Sequence, residues 1–283
     1  MVNFVKSEEP QSNQQMSIER VSKLSAREFK RKYFGPGQPV IITDAIESWE
    51  ARSLWSPNYF KENFGDIKVI VQIREVDKAC EPSYFLEKGQ EEEMTIREYL
   101  KEVESNPEVG VIRYIVEMPI TDVIPITKTQ IKPLDYYSEA IRRLADRKIF
   151  FWMGHTGCCT VIHYDALPNF NIQIWGRKKW VIFPKDQQDL LYTPSYLSLN
   201  YFSPINYENP DYEKYPKYKE ATPIEFVLEP GETLYLPSGW AHYVRSLDFS
   251  ISLNIWWVPF LYALKKAPTF YYEKFSKWIF CKN

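Results

Sequence analysis

The chain has 283 residues, a formal net charge of -2, 45% hydrophobic and 16% aromatic residues. Such a length suits one large core, and an all-β barrel with helical additions reaches it as a single unit. The charge gives no overall basic field for nucleic acid, no apolar run approaches the roughly 20 residues of a membrane span, and Cys80, Cys158, Cys159 and Cys281 resemble neither a disulfide framework nor a CxxC zinc site. A reducing compartment fits, and the adjacent Cys158 and Cys159 read as small buried barrel residues rather than a redox device.

Residues 1–18 read as a flexible tail, without the apolar core of a signal peptide, so the expected localisation is cytoplasmic. Residues 19–147 form an α/β decoration. In it Ser25 with Glu28 opens a short helix, Pro39-Val40-Ile41-Ile42 is a strand, Ser56-Pro57 starts a second helix, and Thr95 with Glu98 repeats the capping box before a strand at Val111–Val116. From 148 to 258 the chain changes character. Short strands are expected at Ile149–Met153, Thr160–Tyr164, Asn169–Trp175, Lys178–Phe183, Ile224–Leu228, Thr233–Pro237, Ala241–Ser246 and Ser250–Trp257, with a helix near Lys185–Leu191. This implies a mainly β fold with helical additions, a jelly roll or small barrel. The Tyr-, Pro- and Asn-rich stretch Tyr192–Ala221 is too long for a plain hairpin loop and reads as an insert or lid. Residues 259–283, with five Lys and one Glu among apolar residues, read as an amphipathic helical segment interrupted at Pro268, a candidate homodimer contact.

His163-Tyr164-Asp165 ends one strand, where the period of two puts His163 and Asp165 on one face, and His242 lies on another strand. Two neutral imidazoles and a carboxylate on one side of a metal leave the opposite positions open, as in non-haem Fe(II) oxygenases. The third histidine, His155, has no partner pattern and reads as a structural residue. Trp175-Gly176-Arg177-Lys178 reads as a two-residue hairpin that sets Asn169, Asn171, Gln173, Lys178 and Trp180 on one polar face, with Phe170, Ile172, Ile174, Val181 and Phe183 on the other. A lysine lining a closed barrel needs an anion.

The stretch TVIHYDALPNFNIQIWGRKKWVIF, with PGETLYLPSGWAHYV and SLNIWW, resembles the JmjC (cupin-like) hydroxylases of the factor-inhibiting-HIF and tRNA-wybutosine-hydroxylase type. The resemblance implies a double-stranded β-helix core, with Fe(II) held by His163, Asp165 and His242. It also implies 2-oxoglutarate held through its far carboxylate by Thr160 and Lys178, with Asn169 and Asn254 lining its pocket and O2 as co-reactant. Trp256, Trp257 and Tyr243 are candidate pocket walls. Three functions stay open: hydroxylation of a protein side chain, as the nearest-looking relatives imply; hydroxylation of a modified tRNA nucleoside or a small molecule; and a non-catalytic metal-binding cupin, against which Thr160 and Lys178 argue. Lysine demethylation also stays open, without a chromatin-reading module in the sequence to support it.

Overall fold

A computed structural model describes residues 17–83, 90–105, 110–136, 149–193 and 201–257. Most of the expected tail at residues 1–18, the C-terminal segment 259–283 with its expected dimer contact, and residues 194–200 of the insert lie outside the described residues.

Eight strands build two facing sheets. In chain order they are β6 (Ile149–Gly154), β7 (Cys159–Tyr164), β8 (Asn169–Trp175), β9 (Lys178–Phe183), β10 (Ile224–Leu228), β11 (Thr233–Leu236), β12 (Ala241–Ser246) and β13 (Ser250–Trp256). One sheet runs β10-β9-β12-β7, and the other contains β11-β8-β13-β6. The chain thus alternates between sheets except where β9 and β10 pair with each other. That is the jelly roll expected from the strand spacing, closed into a double-stranded β-helix.

Five earlier strands widen the larger sheet: β1 (Arg20–Val21), β2 (Val40–Ile42), β3 (Lys68–Glu75), β4 (Gln90–Thr95) and β5 (Val111–Pro119). Its nine strands run β1-β2-β11-β8-β13-β6-β5-β3-β4. The capping signals behave as their chemistry dictates. Ser25 Oγ accepts from the Glu28 amide and Ser56 Oγ from the Tyr59 amide, while Thr95 and Glu98 satisfy each other's amides at the head of the helix Ile96–Ser105. The helix at Ala26–Phe29 continues as a π-turn through Phe34. The one expected at Lys185–Leu191 is a single 3-10 turn, Lys185–Gln187, followed by turns. Among the described residues no helix is long and apolar enough to cross a membrane.

The hairpin expected at Gly176-Arg177 is not one. β8 pairs with β11 and β13, and β9 with β10 and β12, so the turn carries the chain from one sheet to the other. Each sheet has its own apolar back to cover, which one shared sheet could not provide. Phe170, Ile172 and Ile174 pack with Phe29, Trp49, Trp55 and Phe60 of the N-terminal helices and turns, whereas Val181 and Phe183 pack with Leu191, Ile205 and Tyr218. Gly176 makes the crossing possible, with φ +64 and a position where a Cβ would stand 2.0 Å from the Phe249 carbonyl oxygen. Asn171, Gln173, Lys178 and Trp180 still share one interior, because the two sheets face each other across it.

Candidate metal centre and its cavity

His163 sits on β7 directly opposite His242 on β12, and Asp165 follows β7. Their ligand-capable atoms lie within 4.8 Å of one another, with the imidazole centroids 4.1 Å apart. His163 Nδ1 lies 2.8 Å from the Val161 carbonyl and His242 Nδ1 3.2 Å from that of Trp240. A carbonyl only accepts, so each Nδ1 carries the proton and each Nε2 keeps its lone pair. Burial and the neighbouring His163 bring the His242 pKa down to about 3, which keeps the ring neutral as a ligand must be. Asn169 Nδ2 and Trp256 Nε1 both donate to Asp165 Oδ2 at 3.0 Å and fix that carboxylate.

The triad opens on a cavity of about 530 Å³ between the sheets, a size usual for small-molecule sites. Thr160, Lys178 and Asn254 line it as well. In a regular strand Thr160 and His163, three apart, would face opposite sides. A bulge changes the phase: His242 pairs with His163 and Val244 with Thr160, so three steps on β7 match two on β12 and both side chains face inward. Asn254 donates to Asn171 Oδ1 at 2.6 Å across β13 and β8. Asn169 is absent from the cavity lining and holds Asp165 instead.

Lys178 is 4% exposed, and its ammonium donates to Ser252 Oγ at 2.7 Å and Tyr114 Oη at 3.2 Å. Among the described residues no carboxylate pairs with it, and burial pushes its pKa down to about 8. Among the described residues the N–H groups of Trp152 Nε1, Asn171 Nδ2 and Trp180 Nε1, all on cavity-lining residues, are buried without an acceptor, against one unpaired acceptor on such a residue, Gln173 Oε1. Such an excess of donors fits an acceptor-rich anion. The donor set at the triad fits Fe(II), and the donors around Lys178 fit a dicarboxylate.

Of the candidate walls, Trp256 lines the cavity, but Trp257 stacks on Phe170 in the core and Tyr243 points outward to Glu208. His155 is satisfied structurally, its Nε2 accepting the Arg113 amide. From the insert, Tyr201 and Phe202 reach the cavity, and the Phe202 ring stacks on His163 at 5.4 Å. Sequence reasoning missed Tyr114, Ser252 and Glu117. Glu117 occupies a bulge in β5 between Ile115 and Met118, at φ +48, a conformation disfavoured for a side chain of its kind. It is solvent-accessible and lines the cavity, where partial enclosure and then the charge of Asp165 raise its pKa.

Comparison with known proteins adds the family. Residues 26–261 match the model of the cupin-like domain. The chain is 31% identical over 242 residues to lysine-specific demethylase JMJ30 of Arabidopsis thaliana, covering 85% of this chain and 54% of that protein. It is 28% identical over 248 residues to lysine-specific demethylase 8 of Xenopus tropicalis, covering 88% and 54%. To human tRNA wybutosine-synthesizing protein 5 it is 26% identical over 281 residues, covering 93% and 82%. The chain therefore spans about half the length of each of these two demethylases.

Proposed function

This chain belongs to the cupin-like (JmjC) domain family, and from that premise we propose that it is an Fe(II)- and 2-oxoglutarate-dependent oxygenase that hydroxylates a protein side chain. The observation that carries the reading is Lys178, a buried ammonium with no carboxylate partner among the described residues, in the cavity that the His163, Asp165 and His242 triad opens on. In this reading Nε2 of both histidines and the Asp165 carboxylate hold the metal. Lys178 and Thr160 hold the far carboxylate of 2-oxoglutarate. When bound, iron with 2-oxoglutarate and O2 supplies the oxidising chemistry, with succinate and CO2 as co-products.

The residues of the chain do the positioning. Asn169 and Trp256 keep the Asp165 carboxylate from rotating, and Phe202 covers one face of His163 and excludes water there. Glu117 at the cavity mouth favours a cationic group on the substrate, such as a Lys or Arg side chain, over a phosphate. The second reading, a modified tRNA nucleoside, is favoured by the alignment over 82% of the tRNA wybutosine-synthesizing protein.

The test incubates the iron-loaded protein with 2-oxoglutarate and either a peptide digest of a proteome or total tRNA, followed by mass spectrometry. An added oxygen, or a lost methyl group, on a peptide supports a protein substrate, and the mass change, a gain of one oxygen or a net loss of one CH2, separates hydroxylation from demethylation. A modified nucleoside with no modified peptide replaces the first reading by the second. Uncoupled consumption of 2-oxoglutarate with neither product would leave the oxygenase chemistry standing and reject both substrates.

A further inference from the structure

Two thiols far apart in sequence meet beside the metal cavity. Cys80 follows the 3-10 turn Val76–Lys78, and Cys159 is the first residue of β7; both are free, and their sulfurs are 2.6 Å apart. They stand on a wall between two cavities. Cys159 and its neighbour Thr160 line the metal cavity, while Cys80 lines a second, outward-facing one together with Glu208, His155 and Arg245. Their environments differ. Cys159 is 4% exposed and its thiol reaches the Ala79 carbonyl at 3.2 Å, whereas Cys80 is half-buried, 3.8 Å from the Arg245 guanidinium and 3.6 Å from the Tyr243 hydroxyl. Arg245 itself is ion-paired with Glu208, which also accepts from Tyr243.

From this geometry we propose that Cys80 and Cys159 are a redox modification site, a dithiol that a hydroperoxide converts to a disulfide, with Cys80 reacting first. Cys80 is the thiol that the second cavity opens to a small peroxide, and the Arg245 guanidinium beside it is balanced by Glu208, so accessibility decides which sulfur reacts first. In keeping with this, the contact with Cys159 lowers the Cys80 pKa, and the same contact with burial raises that of Cys159. In the first step Cys80 sulfur attacks one peroxide oxygen, the O–O bond breaks, and water leaves as the sulfur becomes a sulfenic acid. Cys159 sulfur then attacks Cys80 sulfur. The S–O bond breaks, the S–S bond forms, and the hydroxyl leaves as a second water with the Cys159 proton. Two thiols and one hydrogen peroxide thus give one disulfide and two waters. The link ties the segment after β3 to the strand that carries Thr160 and His163.

Neighbouring Cys158 is the internal control. It is buried, its sulfur points to the Arg113 carbonyl, and burial holds its pKa up at about 12. The experiment exposes the reduced full chain to hydrogen peroxide, blocks remaining thiols under denaturing conditions, and maps peptides without reduction. The expected result is a Cys80–Cys159 link, lighter by two hydrogens and reversed by dithiothreitol, with Cys158 blocked as a thiol. In Cys159→Ser, Cys80 should accumulate as a sulfenic acid captured by a dimedone probe. Peroxide treatment that leaves Cys80 and Cys159 both blockable, or that links Cys80 to Cys158 or Cys281 instead, overturns the proposal. So does faster alkylation of Cys158 than of Cys80 in the folded wild-type chain, a measurement that needs no variant to fold.

Discussion

The buried ammonium of Lys178 carries a desolvation cost. Taking its ammonium out of water without a carboxylate opposes folding, which is why its pKa falls from 10.5 to about 8. The sign follows from proton counting. Between these values the unfolded chain binds more protons than the folded one, so stability should rise as pH climbs from about 8 to 10.5, by on the order of 3 kcal/mol. Lys178→Met removes the penalty, so it should unfold at a temperature at or above wild type, lack that pH slope, and lose affinity for 2-oxoglutarate. The affinity itself has the opposite pH dependence. The dicarboxylate selects the protonated lysine, so binding should weaken above pH 8 in wild type, and calorimetry across pH 7 to 10 checks both signs. That His163, Asp165 and His242 come together and that Lys178 lines the same cavity was legible in the sequence, because ligand and counter-charge chemistry admits few residue types. Tyr114 and Ser252, which hold the ammonium, were not, since a tyrosine or serine on a strand carries no signal of what it faces.

At the scale of an element, bulges and crossings decide which side chains meet. Strand boundaries from 149 onward were readable from turn residues and alternation, and β8, β9, β10 and β12 fall where expected. The pairing of β8 with β9 was misread because a two-residue Gly-Arg connection looks the same whether it closes a hairpin or crosses between sheets. Gly176→Ala should be strongly destabilising, by about 2 kcal/mol or more, because the turn needs both its positive φ and its contact with Phe249; denaturant unfolding would read it. The period of two likewise hides what bulges do. Thr160 faces inward through the bulge against β12, and Glu117 reaches the cavity through the bulge in β5. Glu117→Gly should relieve the unfavourable φ and stabilise the fold by up to about 1 kcal/mol while impairing use of a cationic substrate. A loss of stability there would mean that Glu117 serves the fold rather than the cavity mouth.

Across the whole molecule, long-range pairing places the chemistry. Strands β1 to β5 extend the larger sheet on both sides, so the N-terminal half builds the cavity too, contributing Tyr114 and Glu117 from β5. That half reads as mixed α and β in the sequence, but β3 was missed although its buried Val69 and Val71 alternate with exposed Lys68 and Ile70, whereas β4, exposed from Gln90 to Glu93, lacks such alternation. In the proposed reaction a metal at the triad and an anion at Lys178 act as one site. Anaerobic titration of Fe(II), then of 2-oxoglutarate, into wild type, Asp165→Ala and Lys178→Met tests this most directly. About one Fe(II) per chain is expected in wild type and in Lys178→Met, with 2-oxoglutarate weakened in the latter by about 2–5 kcal/mol, and Asp165→Ala should lose the metal. Wild-type Fe(II) affinity in Asp165→Ala, or an unchanged 2-oxoglutarate affinity in Lys178→Met, would contradict it.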